Sequence, residues 1–89
     1  MVERKVTITN KMGLHLRAAY LLVKTASAFD SDIYLCKNGV EVDAKSIMGL
    51  LGLEGSVWSE ITVKAKGPDE KAALDGVVRL IENKFDEGE

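Results

Sequence analysis

The stretch IYLCKNGVEVDA, residues 33–44, decides which kind of sheet this chain can build. Two short runs of β-type residues, IYLCK and VEVDA, flank the pair Asn38-Gly39. Asn-Gly is a preferred pair for a two-residue type I′ turn, because both residues tolerate a positive φ. The stretch therefore predicts a β-hairpin and, with it, an antiparallel pair of strands.

Two further stretches alternate apolar and polar residues, one on each side of the hairpin: VERKVTIT (2–9) and EITVKAK (60–66). In each stretch the apolar positions fall on one face: Val2, Val6 and Ile8 in the first, and Ile61, Val63 and Ala65 in the second. This alternation predicts two more strands, each with one buried face.

Three segments with a helical period separate or follow the strands. From Leu16 to about Phe29, an apolar stripe predicts a helix with its core face on Leu16, Ala19, Tyr20, Val23 and Ala26 or Ser27. The short apolar segment KSIMGLLGL (45–53) predicts a stub helix or turn capped by Ser46. After Gly67-Pro68-Asp69, where proline suits a first helical turn, a last helix is predicted from the stripe Leu74, Val77, Val78, Ile81 and Phe85.

The element order is therefore β-α-β-β-α-β-α. Strands with one apolar face need helices on that face, which predicts an α+β fold: an open-faced two-layer sandwich with a four-stranded, mainly antiparallel sheet and three helices on one side. A ferredoxin-like split βαβ arrangement shares most of this order and is the alternative. Residues 1–89 are predicted to form one domain, with a frayed acidic tail at about 86–89.

Composition excludes several classes of function. With 12 basic and 14 acidic side chains, the net charge of −2 argues against bulk nucleic-acid binding. A single cysteine excludes an internal disulfide and suits a reducing compartment. The sequence shows neither a signal peptide nor an apolar run of membrane-spanning length, so we expect a cytoplasmic protein without membrane insertion. One histidine and one cysteine cannot close a metal site, and no cofactor is expected. Cys36 is interpreted as a small hydrophobe in a strand, and Trp58 as a packing residue.

The segment GLHLRAA, residues 13–19, holds the single histidine. If the helix begins near Leu16, His15 lies beside free backbone N–H groups at the positive end of the helix dipole. The dipole and Arg17 both favour the neutral, nucleophilic ring, and an anion carried on that ring would meet donors already in place. Gly13 gives the preceding loop conformational freedom. These residues are compatible with a histidine that carries a phosphate, and also with one that only caps or packs.

Three segments together resemble the histidine-containing phosphocarrier (HPr) family of the phosphoenolpyruvate-dependent sugar phosphotransferase system: ITNKMGLHLRAA, NGVEVDAKSIMGLL and ITVKAKGPDEKAALDGVVRLIE. The resemblance covers essentially the whole chain and implies the open-faced sandwich. It also implies that His15 accepts a phosphoryl group on Nδ1 from enzyme I and passes it to an enzyme IIA domain, while Arg17 neutralises charge on the group in flight. Such a protein is a stoichiometric carrier and not an enzyme.

The sequence departs from the family pattern at Leu16, where a small residue is usual, and at Ala18, where proline is usual. Both substitutions keep the backbone N–H donors at positions 16 and 17, so the anion site is expected to persist. Leu16 adds apolar bulk within reach of a docking enzyme.

The resemblance also implies a second site and a docking surface. Many family members carry a regulatory serine that an HPr kinase/phosphorylase modifies; here that residue is Ser46, whose ordinary explanation is that it caps the stub helix. The family's docking surface maps onto Leu16, Tyr20, Lys24, Ile47, Met48 and Leu51. Transient docking through this surface suggests a monomer.

Two other functions remain open within the family. The nitrogen-related paralogue (NPr) shares ITNKMG, GPDEKAALDGV and the FDEGE ending, and it serves regulation instead of transport. A binding-only regulatory module would act through Ser46 alone, although retention of His15 and Arg17 speaks against it.

Outside the family, an RNA-binding ferredoxin-like domain is disfavoured, because the strands offer only Tyr34 as an aromatic and the chain is acidic.

Overall fold

A computed structural model describes residues 1–86 and contains the seven expected elements in the expected order. The strands are β1 (Val2–Thr7), β2 (Asp32–Lys37), β3 (Val40–Asp43) and β4 (Glu60–Lys66). The helices are α1 (Leu16–Ser27), α2 (Ile47–Gly52) and α3 (Glu70–Glu82), and a short 3-10 turn follows at Lys84–Asp86. Apart from Asp86, the predicted acidic tail lies outside the described residues.

The four strands form one sheet in the order β1-β4-β2-β3, and each of the three neighbouring pairs is antiparallel. In the ferredoxin-like alternative, the first and third strands occupy the centre of the sheet. Here those strands are the two edges, so that alternative is wrong. The predicted antiparallel sheet with three helices is confirmed.

The hairpin between β2 and β3 turns at Asn38-Gly39, as predicted. Asn38 has φ 50° and Gly39 has φ 82°, which is the pair of left-handed residues that a type I′ turn requires. The turn brings Lys37 opposite Val40 and Tyr34 opposite Asp43. The hairpin therefore sets the register of the outer half of the sheet.

One face of the sheet is covered and the other is open. The buried face carries Val6, Ile33, Leu35, Ile61, Val63 and Ala65, which pack beneath the helices. Between these positions, residues such as Tyr34, Cys36, Thr62 and Lys64 point to the uncovered side and are only partly buried. Removing the covered apolar face from water is the main stabilising contribution in such a sandwich.

Helix α1 buries part of the predicted face: Ala19 and Ala26 are buried as predicted and Val23 packs against the core, but two of the predicted core residues are exposed. The buried residues are Ala18, Ala19, Leu22 and Ala26, whereas Leu16 and Tyr20 are 63% and 54% exposed. The segment LRAAYLLV is apolar on so much of its circumference that two neighbouring stripes fit the sequence. The stripe that contains three alanines faces inward, where α1 packs against α2 and α3. The helix also ends at Ser27, before the expected Phe29.

Helix α3 buries Leu74, Val77, Val78 and Ile81, as its spacing predicts. Pro68 lies just before the N-cap residue Asp69, outside the first turn. Phe85 is buried, but it lies beyond the helix in a turn where three consecutive residues, Lys84–Asp86, have φ between 52° and 61°. This left-handed turn folds the chain back and places the Phe85 ring in the core.

Asp69 joins the start of α3 to the loop that leads into β2. Its carboxylate accepts hydrogen bonds from the backbone N–H groups of Asp30 (3.0 Å) and Ser31 (2.9 Å), and from the Ser31 hydroxyl. Ser31 is buried, and these bonds hold the pKa of the Asp69 carboxyl below its usual value.

No helix within residues 1–86 has the length and apolar composition needed to cross a bilayer.

Candidate functional site

His15 is the N-cap residue of α1, which begins at Leu16 as expected. Its backbone is extended, with φ −82° and ψ −179°, and its carbonyl oxygen accepts the first helical hydrogen bond, from Ala19 N at 2.8 Å. Within the described chain, the imidazole makes no capping hydrogen bond to the first turn. Helix geometry supplies no acceptor for the N–H groups of that turn, so they are oriented toward any anion held at the helix start.

The loop before His15 is held in place by several hydrogen bonds and a buried side chain. The buried Asn10 side chain donates through Nδ2 to the Gly13 carbonyl oxygen (2.8 Å), and Gly13 N donates to the Asn10 carbonyl oxygen (3.1 Å). Leu14 N donates to the Gly55 carbonyl oxygen (2.6 Å), and the Leu14 side chain is buried. The loop is therefore a fixed support that sets the position of the His15 backbone.

Asn10 and Gly55 are the residues of this support that the sequence analysis missed. The segment NKMG indicated only that β1 ends, because an asparagine in a turn gives no sign of whether its side chain is buried. Gly13 has a stricter role than conformational freedom. Its φ is +65°, and a Cβ atom there would clash with the Gly55 carbonyl oxygen.

Arg17 lies in the first turn of α1 and is exposed, two residues after His15. Leu16, between them, is also exposed. The structure thus presents an imidazole, an apolar side chain and a guanidinium in succession at one helix start. Ala18 is fully buried in the same turn, where it belongs to the core.

Ser46 is the N-cap residue of α2, and the predicted cap is confirmed. Its backbone is extended, with φ −120°, and its Oγ accepts a hydrogen bond from Gly49 N at 3.1 Å. Ser46 is partly buried, and its hydroxyl lies at the start of the helix, where it makes this capping bond.

The predicted docking residues divide into an exposed and a half-buried group. Leu16, Tyr20, Lys24 and Met48 are exposed, and Met48 shows 79% of its surface. Ile47 and Leu51 are partly buried and pack against the core. Because α1 packs against α2, these residues belong to one pair of adjacent helices. We refer to Leu16, Tyr20, Lys24, Ile47, Met48 and Leu51 as the helix face.

Trp58 does not pack in the core, so its interpretation as a packing residue is wrong. Its side chain is 73% exposed, and its backbone has φ +72°. Trp58 N donates to the Ile8 carbonyl oxygen at 2.7 Å, so the backbone of this loop is held against the end of β1 while the indole lies at the surface. The alternation of β4 begins only at Glu60, so the strand pattern did not determine the direction of this side chain.

Cys36 lies in strand β2, as predicted, on the open face of the sheet, where it is only partly buried. The interpretation of Cys36 as a small hydrophobe is incomplete, because the thiol has polar partners. Its thiol donates to Glu41 Oε1 at 3.2 Å, and Lys64 Nζ lies 3.2 Å from the same oxygen. Partial burial, the hydrogen bond and the negative charge of Glu41 raise the pKa of the thiol above its ordinary value of 9.0, while Lys64 lowers it in part.

Among residues 1–86, no three His, Cys, Asp or Glu side chains are grouped to hold a metal ion.

Comparison with known proteins shows the family to which the chain belongs. Residues 2–83 match the family model described as "PTS HPr component phosphorylation site". The phosphocarrier protein HPr of Cupriavidus necator is 46% identical over the full length of both chains. The phosphocarrier protein NPr of Shewanella violacea is 46% identical, over 97% of this chain and 94% of its own.

The fold is likewise that of solved HPr structures. The crystal structure of HPr from Thermoanaerobacter tengcongensis superposes with a TM-score of 0.94 at 46% identity, covering 98% of each chain. HPr of the same species has also been crystallised as a dimer, which superposes with a TM-score of 0.76. The monomer expected here therefore stays a prediction. From its sequence, its fold and the helix start at His15, this chain belongs to the HPr family of phosphocarrier proteins of the bacterial phosphotransferase system.

Proposed function

We propose that this chain accepts a phosphoryl group on His15 from phosphorylated enzyme I and passes it to an enzyme IIA domain. In the first step the Nδ1 lone pair attacks phosphorus, and the new P–N bond forms as the bond to the donor breaks. The second step reverses this at the acceptor. Each copy carries one group per cycle, so the chain is a stoichiometric carrier and not an enzyme.

The observation that carries this proposal is the position of His15 at the N-cap of α1. A phosphoryl group on the ring would lie near the oriented N–H groups of the first turn and the positive end of a twelve-residue helix. The exposed Arg17 adds a cation that can neutralise charge on the group during transfer. Because the supporting loop is fixed by Asn10 and Gly55, little reorganisation is needed on phosphorylation.

Incubation with phosphoenolpyruvate and a general enzyme I tests the proposal. We expect one acid-labile, base-stable phosphate per chain, and none on the His15→Ala variant. An Arg17→Ala variant should accept the group at least about tenfold more slowly, since a charged hydrogen-bond donor is lost from the transfer state. Equal labelling of wild type and His15→Ala would refute phosphorylation at His15.

We also propose that Ser46 is a site of regulatory phosphorylation by an HPr kinase/phosphorylase. The helix start that Ser46 caps tolerates a phosphate, because backbone N–H groups and the dipole favour negative charge there. Added charge beside the exposed Met48 would hinder docking of an acidic partner on the helix face. The expected result is an acid-stable phosphate after treatment with ATP and such a kinase, absent from Ser46→Ala; failure of the wild type to incorporate it would exclude this regulation.

The helix face is proposed as the docking surface for these partners. Exposed apolar side chains around a charged centre are typical of transient protein contacts, and Leu16, Tyr20 and Met48 supply them beside Lys24. Ile47 and Leu51 would contribute their exposed parts. No nucleic acid, membrane insertion or cofactor enters this mechanism, and we expect it to operate in the cytoplasm, with residues 1–89 acting as one domain.

The nitrogen-type paralogue is the second candidate function, because an NPr is as similar to this chain as an HPr is. The discriminating experiment offers the phosphorylated protein to a sugar-type and a nitrogen-type enzyme IIA at equal concentrations. Faster transfer to the sugar-type acceptor supports HPr, and faster transfer to the other supports NPr. A binding-only role through Ser46 would be supported if neither acceptor received the group and His15 remained unlabelled.

A further inference from the structure

Asn10 is one of two polar residues that are fully buried within residues 1–86, and the other is Ser31. Ser31 belongs to the hydrogen-bonded contact with Asp69 at the start of α3. Asn10 lies instead in the loop before His15, where its Nδ2 donates to the Gly13 carbonyl oxygen at 2.8 Å. Because burial of an amide is costly unless the amide is hydrogen-bonded, this bond is the feature to explain.

The bond from the Asn10 side chain is not needed to close the turn. Gly13 N donates to the Asn10 carbonyl oxygen at 3.1 Å, and this backbone bond closes the four-residue turn 10–13. The side chain adds a different restraint, because it holds the carbonyl group of Gly13, from which the chain leaves the turn. Asn10 therefore acts on the peptide unit that follows the turn.

The peptide unit between Gly13 and Leu14 is held at both of its polar groups. Its carbonyl oxygen accepts from Asn10 Nδ2 at 2.8 Å, and its N–H group, that of Leu14, donates to the Gly55 carbonyl oxygen at 2.6 Å. Since a peptide unit is planar, these two bonds on its opposite edges fix the orientation of the whole plane. This plane ends at Leu14, the residue before His15.

Gly13 is the residue at which this plane would otherwise turn. Position 13 requires glycine, because its φ is +65° and a Cβ atom there would clash with the Gly55 carbonyl oxygen. Glycine, however, permits more backbone conformations than any other residue. Without a restraint on the Gly13 carbonyl, rotation there would shift the backbone of His15. The Asn10 side chain supplies that restraint.

On its other side, His15 is fixed by the helix. Its carbonyl oxygen accepts from Ala19 N at 2.8 Å, and its backbone is extended. The direction in which a side chain leaves the backbone follows from the positions of N, Cα and C, so the two restraints together aim the imidazole. Group transfer depends strongly on this aim, since a misplacement of about 1 Å can slow a reaction by about 10²-fold.

We propose that Asn10 is a positioning residue for phosphoryl transfer at His15. It acts through the Gly13 carbonyl and not by contact with the phosphoryl group. This inference rests on the proposed function. Loss of the Asn10 donor would slow the transfer step itself, and it would leave the affinity for the donor protein unchanged, because the helix face is unaltered.

Single-turnover transfer from phosphorylated enzyme I, in excess over a range of concentrations, gives the limiting rate and the concentration for half that rate. For Asn10→Ala we expect the limiting rate to fall at least about tenfold, with the half-saturating concentration unchanged. Asn10→Asp should behave in the same way, because a carboxylate keeps the shape of the amide but has no N–H to donate. In both variants, the NMR order parameters of the Gly13 and Leu14 amides should fall.

The matched control is Val78→Ala, which shortens a buried side chain of α3 and so lowers stability without removing a bond from the loop. Its limiting rate should equal that of the wild type. An unchanged limiting rate in the Asn10 variants, an effect confined to the half-saturating concentration, or an equal loss of rate in Val78→Ala overturns the proposal. If neither Asn10 variant folds, Asn10 serves folding and the proposal also fails. A wild type that takes no phosphate from the donor refutes the proposed function itself.

Discussion

At the scale of single residues, the Cys36 thiol has an unusually defined environment. It donates to Glu41, which also contacts Lys64, and these contacts lie on the uncovered face of the sheet. Because burial and Glu41 raise the pKa of the thiol, less of it is thiolate near pH 8 than in an unstructured peptide.

We therefore predict that Glu41→Gln speeds alkylation of Cys36 by iodoacetamide at pH 8. Removing the negative acceptor lowers the pKa of the thiol and increases the thiolate fraction. Rates measured from pH 7 to 11 should show the curve of the variant displaced to lower pH, with both proteins reaching a similar plateau. A curve displaced to higher pH would mean that Glu41 does not disfavour the thiolate.

Residues that carry chemistry were easier to predict than residues that carry geometry. His15 was placed at a helix start and Ser46 at a helix N-cap because the signals for a helix start are local in sequence. Asn10 and Trp58 were not foreseen, because burial of Asn10 and exposure of Trp58 depend on how the loops 8–14 and 54–59 meet. That meeting involves residues more than forty positions apart, and no local pattern encodes it.

At the scale of elements, the loop before α1 depends on one glycine. A Cβ atom at Gly13 would clash with the Gly55 carbonyl oxygen, at a φ that already favours glycine. Gly39 in the hairpin also has a positive φ, yet nothing lies near the position of its Cβ atom. Comparing alanine substitutions at the two glycines therefore distinguishes the cost of a left-handed backbone from the cost of a steric clash.

We predict that Gly13→Ala lowers the free energy of unfolding by about 3 kcal/mol and Gly39→Ala by about 1 kcal/mol. Both variants place an alanine in a left-handed backbone, and only Gly13→Ala must also displace the Gly55 carbonyl oxygen. Urea denaturation of the two variants measures the difference. Equal losses would show that the close approach to Gly55 contributes nothing.

The hydrogen bonds between Asp69 and Ser31 predict how the stability of the protein depends on pH. The pKa of folded Asp69 is lowered, so its stabilising contribution is complete above the unfolded value near 3.8 and is lost as pH falls through the folded pKa. Asp69→Asn should thus be less stable than the wild type at pH 7 and should lose less stability between about pH 4 and pH 2.

Thermal unfolding followed by circular dichroism from pH 7 to pH 2 checks this expectation. Ser31→Ala, which removes the hydroxyl donor to Asp69, should show a smaller change in the same direction. If both variants lose stability in acid as steeply as the wild type, carboxylates other than Asp69 are responsible for the loss of stability at low pH.

At the scale of the whole molecule, the C-terminal turn closes the core. Three consecutive left-handed residues, Lys84–Asp86, insert the Phe85 ring, which is fully buried. Phe85→Ala should reduce the free energy of unfolding by about 3–5 kcal/mol, since it leaves a cavity in a domain whose total stability is about 5–15 kcal/mol. Met48→Ala, at an exposed position, should change it by about 0.5 kcal/mol or less. Chemical denaturation compares them, and similar values would contradict the burial of Phe85.

The global topology was predicted in its element order but not in its strand order. The Asn38-Gly39 hairpin fixed β2 beside β3 because those strands are joined by two residues. The position of β4 between β1 and β2 rests on long-range packing, for which alternation gives only the buried face. For the same reason, the predicted α1 stripe is only partly right: Ala19 and Ala26 are buried, but Leu16 and Tyr20 are exposed. The neighbouring apolar stripes of this helix become distinct only when α2 and α3 are in place.

The uncovered face of the sheet also makes the protein convenient for spectroscopy. The single cysteine of the chain lies there, away from the helices that carry His15 and Ser46, and the single tryptophan is exposed to solvent. A fluorescence acceptor attached at Cys36 under mildly alkaline conditions would pair with Trp58 as the intrinsic donor. Energy transfer between them would then report on folding and on partner association in the natural sequence, without an engineered label site.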